Sequence, residues 1–200
     1  MNAVVIYESI YGNTRAVAEA IADGLGGAET APVPQAGERI EDADLIVVGG
    51  PTHMHGLTTS RSRRMAADAA REDGRTGLAA GASAERGLRH WLRDLPGRDG
   101  AWAAAFDTRL DRSPMLTGAA ARGIARRLRH HGYEVVATES FLVEDSEGPL
   151  QDGELERARN WGTELARRLE RGPDAESGPT GVRARPSSER GPDAQSGSAG

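Results

Sequence analysis

The run Ala3 to Thr14, AVVIYESIYGNT, passes abruptly from apolar side chains to hydroxyls, an amide and a glycine. Helical spacing begins immediately afterwards, at Arg15, so the backbone N–H groups of Gly12, Asn13 and Thr14 face the open end of a helix. A phosphate dianion can be held there without a basic side chain when N–H groups and hydroxyls converge. Ser9, Asn13 and Thr14 supply such groups, and Gly12 lets the main chain come close. The competing reading is an ordinary strand-to-helix turn with Asn13 or Thr14 as N-cap. Two further polar loops follow apolar runs: PTHMHGLTTS from Pro51, and Asp107, Thr108 and Arg109 after Phe106. His53 and His55 would share a face in a strand, a spacing that begins some zinc sites. No third or fourth ligand is evident nearby, and no metal site is expected. Ser9 lacks the G-x-S-x-G setting of a nucleophile elbow.

These loops need elements to hold them. Ala3 to Glu8, Asp44 to Gly50 and Ala101 to Phe106 are apolar without alternation, which is how parallel strands covered on both faces read. Glu134 to Val143 is a further strand. Ala28 to Val33 is weak and contains Pro32, so any strand there belongs at a sheet edge. Helical stripes run through Val17, Ile21 and Leu25; through Leu88, Trp91, Leu92 and Leu95; through Leu116, Ala120, Ile124 and Leu128; and through Leu155 to Leu169. Ser62 to Arg71 can also be helical, while the glycine-bearing Glu72 to Glu85 reads as a surface insertion. Strands alternating with helices give an open, doubly wound α/β parallel sheet of five strands, with helices on both faces. An edge position for the weak second strand favours the order 2-1-3-4-5, whose crevice lies between strands 1 and 3. The two strongest polar loops flank that crevice.

Composition narrows the chemistry. The chain has 200 residues and a net charge of −5, and it contains neither Lys nor Cys. A Walker-type lysine, a Schiff base, thiol chemistry and cysteine-held iron–sulfur clusters are therefore excluded. Mild acidity argues against a general nucleic-acid or membrane-surface binder. The arginines at 122, 126, 127 and 129, with His130 and His131, read as a solvated helix face. No run approaches a membrane span, and the N-terminus lacks the pattern of a signal peptide, so a cytoplasmic location is the expectation. From Gly172 onward the residues are almost all small, polar or charged, with the near-copies RGPDAESG and RGPDAQSG. Residues 1–171 are expected to form one domain and residues 172–200 a disordered low-complexity tail.

YESIYGNT resembles the phosphate-binding loop of flavodoxins, and GGPTHMHG is similar to their second flavin loop. The resemblance extends over residues 1 to about 170. It implies a flavodoxin-like fold and an FMN-binding electron-transfer protein. Ser9, Tyr11, Gly12, Asn13 and Thr14 would hold the phosphate of FMN; Pro51, Thr52, His53, Met54, His55 and Gly56 would line one side of the isoalloxazine; Phe106, Asp107, Thr108 and Arg109 would line the other. The partner would be a redox protein or a small quinone-like acceptor. An FMN-dependent NAD(P)H:quinone-type oxidoreductase, and a flavin-free domain with an interaction role, are the alternatives. The departure from the family pattern is the lack of aromatic stacking partners, since Trp91, Trp102 and Trp161 lie outside the loops. With His53, His55 and Arg109 nearby, the flavin would be less reducing than in low-potential flavodoxins.

Overall fold

The computed structural model describes residues 2–53, 56–57, 87–112, 118–145 and 148–171. In chain order the elements are β1 (Ala3–Tyr7), α1 (Asn13–Gly24), β2 (Glu29–Pro32), β3 (Leu45–His53), β4 (Gly56–Leu57), α2 (Leu88–Asp94), β5 (Trp102–Leu110), α3 (Ala120–His130), β6 (Glu134–Val143) and α4 (Glu154–Arg171). The parallel sheet runs β2-β1-β3-β5-β6, and β4 pairs off this path with the end of β3. Counting the parallel strands alone, this is the expected order 2-1-3-4-5. Among the described residues β2 pairs only with β1, leaving Pro32 at its end opposite Tyr7 on the edge.

Period two along the strands sorts the core into two layers. Val4, Ile6, Ile46, Val48, Ala103 and Ala105 pack with α2 and α3 on one face. Ala3, Val5, Tyr7, Leu45, Val47, Ala104 and Phe106 pack with α1 and α4 on the other. Both faces of β1 and β5 are thus covered, which explains why their sequences carry no alternation. Trp161 is buried in the second layer, whereas Trp91 and Trp102 are partly buried against the first and second layers respectively. Phe106, Phe141 and Trp161 stack edge to face in a row.

Burial also sets the behaviour of two phenols. Desolvation pushes the Tyr7 hydroxyl above its ordinary value, with Arg15 opposing and Glu19 adding to the shift. Tyr133 is raised by burial too, against Arg98. A folded pKa above the unfolded value means that stability is intact below about pH 10 and falls as pH climbs through the folded values. An alkaline titration of tyrosinate absorbance is expected to show these two rings ionising above pH 10, together with loss of stability.

Two strands are longer than the sequence predicts. β5 continues through Asp107, Thr108, Arg109 and Leu110, because each pairs with β6, at Ser140, Phe141, Leu142 and Val143. β3 continues through Pro51, Thr52 and His53, with Pro51 beside Thr108 and Thr52 paired antiparallel with Leu57. Polarity at these positions reflects a crevice at the sheet's end rather than the end of the ladder. The predicted helix over Ser62 to Arg71, the insertion over Glu72 to Glu85, Leu116 and the tail from Gly172 lie outside the described residues. Among the described residues, no helix is long and apolar enough to cross a membrane.

Candidate functional site

At the carboxyl ends of β1, β3, β5 and β6 lies a cleft of about 220 Å3, walled by Tyr11, Asn13, Thr14, Pro51, Thr52, Thr108 and Arg109, with Ile10, Leu110 and Val143. α1 opens onto it. Its N-cap is Gly12, at φ 94° and ψ −25°, with no side-chain cap and no acidic residue in the first turn. Neither Asn13 nor Thr14 is therefore the cap; both already lie in the helix. The first N–H groups of a helix have no carbonyl within it to bond, and their dipole favours an anion. An L-side chain at Gly12 would be strained, since this backbone region disfavours a Cβ.

The surrounding hydroxyls are set rather than free to wander. Gly12 N donates to Ser9 Oγ at 3.2 Å, which leaves the Ser9 O–H available to donate elsewhere. Thr14 and Thr108 join hydroxyl to hydroxyl at 2.8 Å, with Thr14 only 2 % exposed. In such a pair one oxygen accepts, so one hydroxyl hydrogen remains for a ligand. Gly148, at φ 105°, lies against the Asn13 amide; a Cβ there would come within 2.3 Å of Asn13 Nδ2. That glycine lets the segment after β6 pack onto the loop.

The supporting groups are buried in the sheet's end. Glu8 is buried, and its carboxylate accepts from Leu88 N at 2.6 Å, tying the end of β1 to the start of α2. Asp107 is fully buried. Its Oδ2 accepts from Thr52 Oγ1 at 2.8 Å and from Ala121 N at 2.9 Å, while Thr52 Oγ1 accepts from Ala120 N at 2.9 Å. Thr52 and Asp107 together cap α3 and brace the tip of β3 against it. Thr52→Val keeps the shape and leaves the Ala120 N–H without that acceptor. A buried orphan of this kind costs roughly 1–3 kcal/mol, and chemical denaturation is expected to show a loss of that size.

The expected third loop is thus only partly at the cleft. Thr108 and Arg109 line it. Phe106 does not: alternation turns it into the layer with α1 and α4, fully buried beneath Gly49, where a Cβ would sit 2.1 Å from the ring. Asp107 points the other way, into the cap of α3. Pro51 and Thr52 line the cleft, His53 ends β3, and Gly56 opens β4 opposite His53. Met54 and His55 lie outside the described residues. Ser9 and Gly12 shape the loop beneath the wall. Ile10, Leu110 and Val143 were not anticipated; their only signal is their position next to a glycine-bearing loop or at a strand's carboxyl end.

Known proteins share the fold. Residues 4–62 match the family model described as a flavodoxin domain. No curated protein sequence matches the chain. Among solved structures, a flavodoxin from the domain Archaea is 20% identical, covering 85% of this chain and 99% of its own, with a TM-score of 0.53. Oxidised Flavodoxin 1 from Bacillus cereus is 20% identical over 84% of this chain and 99% of its own, at a TM-score of 0.55. Flavodoxin 2 from the same organism is 18% identical, with coverage of 84% and 99% and a TM-score of 0.54. In its strand order and its two-sided helical cover, the fold is flavodoxin-like.

Proposed function

We propose that residues 1–171 form a domain that binds FMN non-covalently in the cleft at the carboxyl ends of β1, β3 and β5 and serves in electron transfer. The observation that carries this reading is the N-terminus of α1. It opens on the cleft through a glycine cap, with no acidic side chain in its first turn, at the point where the strand order reverses. The donor set suits a phosphate: backbone N–H groups, the Ser9 and Thr14 hydroxyls and the Asn13 amide, with no carboxylate lining the cleft among the described residues.

Bound FMN supplies one- and two-electron redox chemistry, and the protein sets its affinity, potential and access. Gly12 admits the close approach of the main chain. Thr108 fixes the Thr14 hydroxyl, and Ile10, Pro51, Leu110 and Val143 keep water from the wall. Arg109 brings a permanent positive charge to the rim and favours the more negative, reduced form of a flavin beside it. His53 and His55 would add to this effect when protonated, so the potential is expected to be less negative than in acidic flavodoxins.

The test is anaerobic photoreduction of the FMN-loaded protein with EDTA as the sacrificial electron donor, followed by mixing with an oxidised one-electron acceptor protein. The expected result is stoichiometric electron delivery, with NAD(P)H alone leaving the visible flavin band unbleached. Rapid bleaching by NAD(P)H, with turnover of a quinone, would replace the carrier with a reductase.

A further inference from the structure

α3 carries four arginines and no acidic residue in a chain whose net charge is −5. Its buried face is Ala121, Ile124, Ala125 and Leu128, which turns Arg122, Arg126 and Arg129 outward. Their spacing of i, i+4 and i+7 places them in one exposed row, about 10 Å long. None of the three makes an ion pair among the described residues. α4 differs: Arg157 pairs with Glu139 and Glu154, and Arg159 pairs with Asp23. The row also has a fixed origin. Arg122 shares a groove of about 470 Å3 with Arg109, and Arg109 also lines the cleft assigned above to FMN. The Arg109 guanidinium donates to the carbonyls of Leu110 and Arg112 and makes no ion pair among the described residues, while Glu139 and Glu154, which also line the groove, pair with Arg157. Beside the row, burial and the like charges of Arg89 and Arg126 hold Arg127 below the usual arginine range.

We propose that Arg122, Arg126 and Arg129, continuing from Arg109, form a docking ridge for the acidic face of an electron-exchange protein. The site of exchange rests on the flavin reading; the ridge itself does not. Two alternative occupants fit less well. A nucleic-acid duplex held non-specifically needs contacts to about 6–10 phosphates to bind firmly, more than this short row offers, and the acidic remainder of the chain repels it. A small anion has no enclosed place on an exposed helix face. A short charged row beside the rim of a redox site suits a small, transient interface steered by charge.

The full chain and its triple variant Arg122→Gln/Arg126→Gln/Arg129→Gln are titrated against a fluorescently labelled acidic two-iron ferredoxin, followed by anisotropy. The control is Arg159→Gln/Arg167→Gln/Arg171→Gln on α4, which makes the same change in net charge. Wild-type affinity is expected to fall about tenfold between about 20 and about 200 mM salt, and the ridge variant to lose about tenfold at low salt. The control is expected to stay within about twofold of wild type. Equal losses in the two variants, or no loss in either, overturn the ridge. So does a ridge variant that loses only its binding to a random-sequence DNA duplex. FMN titrations of all three proteins separate the two readings: if none binds FMN yet the ridge variant still loses the ferredoxin, the flavin reading fails and the ridge stands.

Discussion

Asn13→Asp is expected to make the apoprotein slightly more stable and its FMN complex on the order of a hundredfold weaker. The two effects share one cause. A carboxylate in the first turn of α1 interacts favourably with the helix dipole, worth about 0.3–1 kcal/mol. The same charge at the wall of the cleft meets a phosphate dianion. At an effective dielectric of about 20, unit charges about 8 Å apart repel by roughly 2 kcal/mol, and a dianion nearly doubles this before salt screening. Since about 1.4 kcal/mol is tenfold in affinity, the repulsion outweighs the helix gain. The change is isosteric, so the contact with Gly148 keeps its shape. Thermal unfolding of the apoprotein and FMN titration read the two signs separately. A variant that binds FMN as tightly as wild type removes the phosphate from the start of α1.

Gly162→Ala is expected to destabilise the fold by about 2–3 kcal/mol, although helix propensity alone predicts a gain of about 1 kcal/mol. Gly162 lies within α4, where a Cβ would meet the carbonyl oxygen of Ile21 at 2.3 Å and the Cα of Gly24 at 3.2 Å. Gly24, at the end of α1, faces the same contact from the other side: its Cβ would lie 2.0 Å from the carbonyl oxygen of Arg159. These are main-chain atoms, so relief requires the two helices to move apart. That motion loosens Val17, Ile21, Ala158, Trp161 and Leu165 in the shared layer. Gly123→Ala in α3 is the comparison, because its Cβ would meet only Arg127 Nη1 at an ordinary 3.5 Å, and it is expected to stabilise by up to about 1 kcal/mol. In a domain of this size each kcal/mol moves the melting temperature by roughly 2–4 °C. Opposite shifts for two glycine-to-alanine changes in helices are therefore measurable. A stabilised Gly162→Ala denies the close crossing of α1 and α4.

The fold was legible because its central strands are buried on both faces. Val4 to Ile6 and Ile46 to Val48 advertise that burial as continuous apolar runs, and Pro32 marks an edge. The order followed from these alone. The ends of β3 and β5 were not legible, because Thr52, Asp107 and Thr108 are polar for reasons that arise only in three dimensions. Thr52 and Asp107 cap α3 far along the chain, and Thr108 meets Thr14 across 94 residues of sequence. The face that Phe106 takes is hidden for a related reason: period two decides it, and only the register fixes the phase of that period. Gly12 as the cap of α1 was equally hidden, since the side chains of Asn13 and Thr14 are better capping groups in isolation. Gly24 and Gly162 looked like a helix stop and a gap in a stripe, yet they bring the backbones of α1 and α4 into contact. Pattern shows which face is buried; it does not show which backbone must approach which.

The most direct measurement is a titration of the full-length apoprotein with FMN, followed by quenching of flavin fluorescence. The expected result is saturable, equimolar binding with a dissociation constant of about 1 μM or tighter, weakened in Asn13→Asp. A folded wild-type protein, with a cooperative melting transition, that leaves FMN fluorescence unquenched at about 100 μM contradicts the assignment of this cleft to FMN.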